Sequence, residues 1–358
     1  MYLPQFHRIP ENDEFWGEGF TDWVTVKNAK PLYKDHIQPR IPLNNNYYDL
    51  SVEENVVWQA DLAVKYGIYG FGVYHYWFNN EKNLLTKPAE IMRDSQDLHV
   101  KYFLVWDNAS WKRSWSNLEG NDWAPLADKA GNHTAGPQIL IPYILGKEAD
   151  WKRHYDELLT HFKSPNYIKK DNKPIFSILS SEGDIMDMCN SWDKWAKEDG
   201  FDGIFFIFKS TPNLPDNVYR YDYEPHTSGW GNKTFFERLE DVAFRCLKYR
   251  KRMYYDYDLV WKRLLKYAAS ERNEYLYHGA FVSYDDSPRR GAEKSKIVRG
   301  ASPKKFRKYF KQLLSISDEQ GKDFVFLTAW NEWGEGAFLE PDVIEGFGYL
   351  EAIKDCLL

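Results

Sequence analysis

The amino-acid sequence predicts an α/β fold, a single (β/α)₈ TIM barrel that occupies residues 1–358 as one domain. Short, near-continuous apolar runs alternate with amphipathic helical stretches, and such runs are typical of parallel strands that are buried on both faces. Eight runs, with helices between them and after the last, favour a closed barrel. An open doubly wound sheet is the alternative, but no G-x-G-x-x-G fingerprint follows an early strand.

The eight predicted strands are short and rich in β-branched and aromatic residues, which distinguishes them from helices. In chain order they are Tyr2–Phe6, Gly70–Trp77, Lys101–Asn108, Pro174–Ser180, Gly203–Phe208, Asp222–His226, Gly279–Tyr284 and Phe324–Trp330. Two longer segments are expected to depart from the simple alternation. Residues 109–147 are predicted to be a long βα loop on the functional rim, and 235–275 a helical insertion.

Helices are predicted between the strands, and two of them have recognisable start signals. The predicted helices cover about residues 51–66, 84–98, 148–163, 184–199, 235–270, 303–320 and 342–357. Ser51, with Glu54 three residues later, predicts a capping box. Ser302 followed by Pro303 predicts an N-cap with proline at the first helical position.

Composition and charge exclude several classes of protein. Hydrophobic residues make up 43% and charged residues 28% of the chain, as in ordinary globular proteins, so a disordered chain is excluded. The 47 Lys and Arg against 53 Asp and Glu give a net charge of −6, so we expect no nucleic-acid partner. Three widely spaced cysteines fit neither a disulfide framework nor a zinc site, and we expect no metal and no cofactor.

Hydropathy along the chain gives two expectations about location. No run approaches the ~18 consecutive apolar residues of a membrane-spanning helix, so we expect no membrane span. The opening MYLPQFHRIP has neither a basic nor an apolar leader region, which favours the cytoplasm. A mature secreted or periplasmic form would begin in the same way.

Polar and aromatic residues cluster at the predicted C-terminal ends of the strands, where (β/α)₈ barrels place their reactive groups. The residues that we predict to contact a substrate there are Tyr74, His75, Tyr76, Trp77, Trp106, Asp107, Asn108, Trp111, His226, Asp285, Asp286, Arg289, Trp330, Asn331, Trp333 and Glu340. Indole rings pack against the C–H faces of a pyranose, while amide, carboxylate and guanidinium groups bond its hydroxyls. The set therefore predicts an oligosaccharide or polysaccharide substrate.

The segment AWNEWGEG after the last predicted strand indicates the chemistry most directly. It places two carboxylates, Glu332 and Glu335, three residues apart on a glycine-containing turn that follows Trp330 and includes Trp333. Carboxylates whose surroundings separate their pKa values serve as general acid and base, and glycosidic bonds are made or broken by such pairs. An isolated E-x-x-E is more often a solvated loop, but its position after the last strand favours a catalytic pair.

Other polar residues in this set allow more than one interpretation. His75 and His226 have the chemistry of general acids or metal ligands, but we favour substrate contact. Asp285 and Asp286 have no second cluster at metal-ligand spacing. Because Arg289 follows closely, the two aspartates predict either an ion-pair network or sugar contacts.

Aromatic residues make up 17% of the chain, which is high for so charged a sequence. Many of these rings fall near predicted strand ends and in loops. We therefore expect the excess to form a sugar-stacking rim around the two glutamates. The rings assigned to this rim are Trp16, Trp23, Tyr74, Tyr76, Trp77, Trp106, Trp111, Trp115, Trp123, Trp230, Tyr284, Trp330 and Trp333.

Several motifs resemble those of a known family. The opening YLPQFHRIPENDEFWGEGFTDWVTVKNAKPLYKDHIQPRIP and the later GVYHYWF, VWDNASWKRSW, YDDSPRRG and TAWNEWGEGAFLEPD resemble WbsX-type proteins of bacterial surface-polysaccharide loci, usually labelled glycosyltransferases. The motifs run in order from about residue 2 to residue 350, so the resemblance covers nearly the whole chain.

This family is similar, more distantly, to the endo-α-mannosidases of glycoside hydrolase family ninety-nine, which are (β/α)₈ barrels. Their catalytic N-E-W-x-E motif corresponds to Glu332 and Glu335. The resemblance implies that Glu332 acts as a base on the sugar 2-hydroxyl through an anhydro-sugar intermediate. It implies that Glu335 is the general acid/base and that the anomeric configuration is retained.

One departure from the family pattern lies at residues 106–109. Many relatives have a glutamate after W-A-N, whereas this chain has Trp106, Asp107, Asn108 and Ala109. Asp107 is either a displaced carboxylate or the sign of a lost substrate contact. This departure concerns which sugar is bound, and the central glutamate pair is unaffected by it.

The sequence therefore predicts a carbohydrate-active enzyme that makes or breaks glycosidic bonds of an α-manno-type or related bacterial glycan. A nucleotide-sugar-dependent glycosyltransferase of lipopolysaccharide or O-antigen biosynthesis is the alternative. No nucleotide-sugar pocket is recognisable in the sequence, which favours the first interpretation. A non-catalytic carbohydrate-binding barrel is a third possibility, opposed by the presence of both carboxylates.

Overall fold

The structure, a computed structural model, describes residues 1–96, 98–113, 138–231 and 253–358. The chain divides into two compact units. The described residues of the first unit are 1–19, 48–96, 98–113 and 138–221, and those of the second unit are 20–47, 222–231 and 253–358. The single domain expected from the sequence stays a prediction.

The first unit is built on a mostly parallel sheet. Its strands are β1 (Gly70–Asn79), β2 (Lys82–Leu84), β3 (Lys101–Trp106), β4 (Trp111–Arg113), β5 (Gln138–Ile141), β6 (Lys169–Lys170), β7 (Lys173–Ile178), β8 (Phe205–Lys209) and β9 (Arg220–Tyr221). Strands β1, β3, β7, β8 and β9 pair in parallel in that order. Short antiparallel pairings add β2 to β1, β6 to β7 and β4 to β5.

The parallel register follows from side chains that are buried on both faces. Gly70 pairs with Lys101 and His75 with Trp106, so the carboxyl ends of β1 and β3 meet. Gly72 is required at its position, because a Cβ there would lie 2.7 Å from the ring of Phe103. The apolar runs in the sequence therefore correctly predict these buried parallel strands.

Helices of the first unit pack around this sheet. They are α1 (Pro10–Trp16), α3 (Glu53–Lys65), α4 (Lys87–Asp94), α5 (Glu148–Phe162) and α6 (Ile185–Glu198). The predicted capping box at Ser51 is wrong. The residue before α3 is Val52, and the Ser51 hydroxyl donates instead to Oδ1 of Asp49 at 2.6 Å.

The second unit contains short strands and the remaining helices. Its helices are α2 (Asp22–Lys27), α7 (Tyr257–Ser270), α8 (Ser287–Lys294), α9 (Pro303–Glu319) and α10 (Gly348–Leu357). Its strands are β10 (Met253–Asp256), β11 (Leu276–Tyr277), β12 (Gly279–Phe281), β13 (Tyr284–Asp285), β14 (Lys296–Arg299), β15 (Phe326–Thr328), β16 (Asn331–Glu332) and β17 (Ala337–Phe338). Ser302 caps α9 as predicted, since its hydroxyl oxygen accepts from the Lys305 amide at 3.4 Å.

Three pairings organise the second unit. Strands β12 and β15 are parallel, β10 and β14 are parallel with β13 added antiparallel, and β16 and β17 form an antiparallel hairpin. The core beneath them is aromatic: Trp261 stacks on Phe281 with ring centroids 5.3 Å apart, and Phe306 is fully buried beside Trp261. Burial of these rings holds α7 and α9 against β12.

Two predicted elements of this unit are wrong. Residues 222–226 do not form a strand, because Pro225 has no amide hydrogen and the Glu224 carboxylate accepts from Ser228, which turns the chain into a π-helical segment, His226–Gly231. The prediction of a helical insertion at 235–275 is correct only in part. Residues 253–256 form β10 and only Tyr257–Ser270 are helical, while 232–252 lie outside the described residues.

The observed fold class is therefore α/β with a mostly parallel sheet. Closure of the strands into a (β/α)₈ barrel stays a prediction. Of the predicted rim loop 109–147, residues 114–137 lie outside the described part of the chain. Among the described residues no helix is long and apolar enough to cross a membrane, and the cytoplasmic location stays a prediction.

Candidate active site

The two glutamates of the N-E-W-G-E segment lie in the turn of the β16–β17 hairpin. Glu332 ends β16, residues Trp333–Glu335 form one turn of 3₁₀ helix, and Gly336 reverses the chain with a φ of 57°. Glycine suits this left-handed backbone, and a Cβ at Gly336 would lie 3.0 Å from the Cβ of Asp285. The hairpin therefore places both carboxylates on one short, tightly bent segment.

The guanidinium of Arg289 binds both glutamates and a third carboxylate. Its Nη2 donates to Oε1 of Glu332 at 2.5 Å and to Oδ2 of Asp22 at 3.1 Å, and its Nη1 donates to Oε1 of Glu335 at 3.0 Å. Arginine suits this position, because its planar fork presents several donors in fixed directions. We call Asp22, Arg289, Glu332 and Glu335 the carboxylate cluster.

Each partner in the carboxylate cluster is positioned by a defined element. Asp22 is the first residue of α2, and Arg289 lies in the first turn of α8, where its amide donates to the Asp286 carbonyl at 3.1 Å. The side chains of Asp22 and Arg289 are 0% and 3% exposed, and those of Glu332 and Glu335 are 5% and 18% exposed. Glu335 is therefore the carboxylate that is most accessible to a ligand.

The absence of a side chain at Gly334 leaves room for Arg289 and Asp22 beside the turn. A Cβ at this position would lie 2.5 Å from Nε of Arg289 and 2.7 Å from Oδ2 of Asp22, closer than real Cβ contacts. The Gly334 amide also hydrogen-bonds Asp22. The glycine between Glu332 and Glu335 thus serves the approach of Arg289 to the turn.

The charges within the carboxylate cluster are unbalanced. One guanidinium faces three carboxyl groups, and burial disfavours a net negative charge in low dielectric. Burial raises the pKa of Glu332 to about 8, with Arg289 opposing and Glu335 and Asp22 reinforcing the rise. Burial likewise raises the pKa of Asp22, again opposed by Arg289. Burial therefore favours the neutral, protonated form of these two carboxyls.

The tryptophans beside the glutamates are packed inside the protein. Trp333 is 1% exposed, stacks on Phe338 at 3.7 Å between ring centroids, and donates from Nε1 to Oε2 of Glu340 at 2.7 Å. Glu340 thereby orients Trp333. Trp330 and Asn331 are also buried, so these four predicted substrate contacts support the hairpin from within.

Asp285 is bound to residues far away in the sequence. Its Oδ2 accepts from Gln38 at 2.8 Å and lies 2.7 Å from Nε2 of His36, and its Oδ1 accepts from the Ser287 amide at 3.0 Å. Burial acts against ionisation, but these hydrogen bonds hold the pKa of Asp285 below its usual value. Asp285 therefore anchors the start of α8.

Asp286 belongs to a separate ion pair beside the carboxylate cluster. Its Oδ1 accepts from the Lys296 amide at 2.6 Å and its Oδ2 from Nε of Arg290 at 3.0 Å. Burial raises the pKa of Asp286 to about 7, and the charge of Glu335 adds to the rise. Of the two interpretations left open by the sequence, the ion-pair network is observed for Asp286. Sugar contacts stay a prediction.

His226 lies in an aromatic group within the second unit. Its ring centroid is 4.8 Å from that of Trp230 and 5.7 Å from that of Tyr284. Both His226 and Trp230 are half-buried, whereas Tyr284 is buried. Substrate contact by His226 stays a prediction.

The other predicted contacts belong to the first unit, at the carboxyl ends of β1 and β3. His75 is buried with its Nε2 2.8 Å from Nε2 of His154, and burial lowers the pKa of His75 to about 3. Trp106 is 1% exposed and donates to the Trp77 carbonyl at 2.8 Å. Trp77 stacks on His154 with ring centroids 4.4 Å apart. His75 and Trp106 therefore have packing roles.

The remaining predicted contacts of the first unit lie near the carboxyl ends of the same two strands. Asn108 and Ser180 exchange two hydrogen bonds of 2.7 and 2.8 Å that tie two loops together. Burial raises the pKa of Asp107 to about 6, with Lys209 opposing. Tyr74 and Tyr76 are buried, and Trp111 packs on Tyr76 with ring centroids 5.6 Å apart. Substrate contact by these residues stays a prediction.

Most of the described rings that were assigned to the aromatic rim are buried, and their contact with a sugar stays a prediction. Rings that are at most 8% exposed are Trp16, Trp23, Tyr74, Tyr76, Trp106, Tyr284, Trp330 and Trp333. Trp77, Trp111 and Trp230 are half-buried or partly exposed, and Trp115 and Trp123 lie outside the described residues. The aromatic excess thus mainly fills the core, where indole N–H groups find partners such as Glu340.

Asp22 is the member of the carboxylate cluster that sequence reasoning missed. It lies well beyond the end of the first predicted strand, Tyr2–Phe6, and its only signal is Thr21-Asp22 at a helix start in the opening motif. No group of His, Cys, Asp and Glu able to hold a metal ion occurs in the described ranges.

Comparison with known sequences identifies the family. A family model described as "Glycosyltransferase WbsX" matches residues 1–353. Two proteins from strains of Xanthomonas campestris pv. campestris, both named "Uncharacterized protein WxcX", are 28% identical over 370 and 369 residues. These matches cover 100% of this chain but 49% of each relative, so the chain spans about half the length of the curated relatives it matches.

Solved structures share the fold. Two structures of the GH99 endo-α-mannosidase from Bacteroides thetaiotaomicron, one in complex with bis-tris-propane, have TM-scores of 0.54 and 0.53. Both are 14% identical and cover 99% of this chain and 94% and 95% of their own. A structure described as a glycoside hydrolase-like protein has a TM-score of 0.51 and 14% identity, over 88% of this chain and 89% of its own. The chain therefore belongs to the WbsX glycosyltransferase family, on an α/β fold similar to that of GH99 endo-α-mannosidases.

Proposed function

We propose that this chain makes or breaks glycosidic bonds and that Glu332 and Glu335 are its reacting carboxylates. One observation carries the proposal: both glutamates bind the same buried guanidinium, that of Arg289, from a single hairpin turn. Paired carboxylates in unlike surroundings are the recurrent device of glycoside chemistry, since one supplies a proton while the other removes one or attacks.

The surroundings of the two glutamates differ in a way that supports separate roles. Glu335 is 18% exposed and Glu332 is 5% exposed. We assign Glu335 as the acid/base, because its carboxyl is the more exposed of the two. Glu332 is then the base that acts on the sugar 2-hydroxyl, with retention of configuration. Arg289 fixes the orientation of both carboxylates, and Asp22 fixes Arg289.

The raised pKa of Glu332 sets a condition on this assignment. Glu332 acts as a base only in its ionised form, which grows as the pH approaches its pKa of about 8. Abstraction of the 2-hydroxyl proton by Glu332 and protonation of the leaving oxygen by Glu335 leave the total charge of the cluster unchanged. The buried Arg289 then faces the same net charge before and after the step.

The substrate class follows from the relatives. The GH99 neighbours are named endo-α-mannosidases, and we propose an α-manno-configured or related bacterial glycan as the substrate. The (β/α)₈ barrel expected from the sequence is part of the same proposal, and the parallel order of β1, β3, β7 and β8 supports it. Asp107, in place of the glutamate of many relatives, is proposed to affect which sugar is accepted.

A second candidate is nucleotide-sugar-dependent transfer, which the description of the family favours. Product analysis distinguishes the two functions. The chain is incubated with α-linked mannan oligosaccharides, with and without GDP-mannose and UDP-sugars, and products are resolved by mass spectrometry. Cleavage or transglycosylation without a nucleotide sugar supports the first proposal. Strict dependence on the nucleotide donor selects the transferase. Absence of any product, with saccharide bound, selects a non-catalytic carbohydrate-binding barrel.

A further inference from the structure

The strand β13 directs two consecutive side chains to opposite faces of a small sheet. Tyr284 pairs with Val298 and Asp285 with Ile297 on β14, and successive strand residues alternate faces. Asp285 meets His36 and Gln38 on one face, whereas Tyr284 meets Trp230 and His226 on the other. The face that carries Tyr284 is thus aromatic, and we call it the Trp230 face.

Trp230 is packed against several side chains on this face and is half-buried as a residue. Its centroid lies 5.1 Å from that of Tyr284 and 5.2 Å from that of Tyr255. The Lys296 ammonium lies 4.4 Å from the same ring, a cation–π contact that fixes its plane. Trp230 is half-buried, unlike Trp330 and Trp333, which are 2% and 1% exposed. It is therefore a better candidate for stacking on a ligand than either indole beside the glutamates.

The Trp230 face adjoins the turn that carries Glu335. The Ser283 hydroxyl donates to the Gly336 carbonyl at 2.5 Å, which ties the residue before Tyr284 to the residue after Glu335. Burial raises the pKa of Tyr284, and the negative charge of Glu335 raises it further. Tyr284 thus contacts Trp230 and lies within electrostatic range of Glu335, the more exposed carboxylate of the carboxylate cluster.

We propose that Trp230 forms a sugar-binding subsite, in which its indole stacks on the C–H face of a pyranose unit adjacent to the bond at Glu335. A rigid ring with accessible surface beside polar groups is suited to pyranose recognition. His226 lies at the edge of the ring and is placed to hydrogen-bond a sugar hydroxyl. The subsite rests on the proposed function and adds a substrate-binding residue to it.

Fluorine NMR tests the subsite independently of turnover. The Glu335→Gln variant is labelled with 5-fluorotryptophan and titrated with α-linked mannotetraose. The Trp230 signal is the one that is missing in the same variant carrying Trp230→Phe, a change that preserves ring packing on Tyr284. We expect this signal to shift with mannotetraose, while that of Trp58, which is 36% exposed on α3, stays in place.

Kinetics in the otherwise unaltered chain supply the second readout. We expect Trp230→Ala to raise KM about tenfold with little change in kcat, and Trp58→Ala to change neither, since ring stacking contributes on the order of 1 kcal/mol. Turnover of mannotetraose with an unmoved Trp230 signal and an unchanged KM overturns the subsite and leaves the proposed function intact. A parent chain that neither binds nor processes the saccharide overturns the proposed function and the subsite with it.

Discussion

In the second unit, Nη2 of Arg289 lies 2.5 Å from Oε1 of Glu332, and the two side chains are 3% and 5% exposed. Removing one partner of a buried charge pair strongly destabilises the folded protein, because the other charge is left buried without compensation. Arg289 also serves Asp22 and Glu335, so one side chain controls the orientation and the proton content of the whole carboxylate cluster.

Replacing Arg289 by lysine is expected to impair both activity and stability. The three donors of an ammonium radiate from one nitrogen and cannot reproduce the directions of the guanidinium fork, so at least one carboxylate is left buried and unpaired. We expect kcat/KM to fall about 100-fold or more and the free energy of unfolding to fall by about 3 kcal/mol. Kinetics and urea unfolding measure these effects. Arg290→Lys is the matched control, because Arg290 is more exposed and pairs with Asp286 alone among the described ion pairs. Equal losses in both variants would contradict the role given to Arg289.

Gly334→Ala is expected to disrupt the carboxylate cluster without altering any charge. The added methyl group would lie 2.5 Å from Nε of Arg289, so either the guanidinium or the turn must move. We expect at least a tenfold loss of kcat/KM, since misplacement of catalytic groups by a fraction of an ångström is costly. Gly229→Ala is the control, because a Cβ there would meet its nearest atom at 3.7 Å. Near-normal activity in Gly334→Ala would show that the close approach is dispensable.

The pH dependence of kcat/KM distinguishes the two roles open to Glu332. Burial raises the pKa of this carboxyl to about 8, and kcat/KM reports ionisations of the free enzyme. If Glu332 is the base, as proposed, its active ionised form increases with pH, and the rate rises up to about pH 8. A rate that instead falls as the pH rises toward 8 would identify Glu332 as the proton donor and reverse the assignment.

Acid is expected to destabilise the first unit through its buried histidine pair. His75 and His154 lie 2.8 Å apart, and burial lowers the pKa of His75 to about 3 and that of His154 well below its usual value. Below about pH 6.5 these histidines are protonated in the unfolded chain but stay neutral in the folded chain. The free energy of unfolding therefore decreases as the pH falls through that value. Each histidine contributes up to about 1.4 kcal/mol per pH unit.

Urea unfolding at pH 7 and pH 5 measures this loss. Replacing both residues, as in His75→Phe with His154→Leu, is expected to weaken the dependence on pH even if stability at pH 7 falls. The exposed His99 supplies the control, and His99→Gln should leave the dependence unchanged. An identical dependence in the double variant and the parent chain would contradict this prediction.

Sequence patterns predicted the elements where local and tertiary preferences agree. The apolar runs at β1, β3, β7 and β8 are buried on both faces, and the segment around Glu332 forms a turn as its glycines indicated. Where a single interaction overrides the pattern, prediction failed. Residues 222–226 were expected to form a strand, but Pro225 and the bonds from Ser228 to Glu224 impose a turn.

The sequence singled out the central residues of the candidate site but missed one residue that supports them. Glu332, Glu335 and Arg289 were recognisable because they follow predicted strands. Asp22 was not, because its contact with Arg289 spans 267 positions and no local pattern records it. The aromatic residues were misinterpreted for a related reason. Composition gives the number of rings but does not show which of them are held inside the protein by contacts such as that of Trp333 with Glu340.

The most direct test of the central claim is turnover of the same α-linked mannan oligosaccharides by Glu332→Gln and Glu335→Gln, measured beside saccharide binding and thermal unfolding. Glutamine preserves the shape of each side chain but can neither donate nor accept the proton in the reaction. We predict a loss of about 100-fold to 10,000-fold in kcat for each variant, with binding retained and folding cooperative. Near-full turnover in either variant would contradict the assignment of Glu332 and Glu335 as the reacting pair.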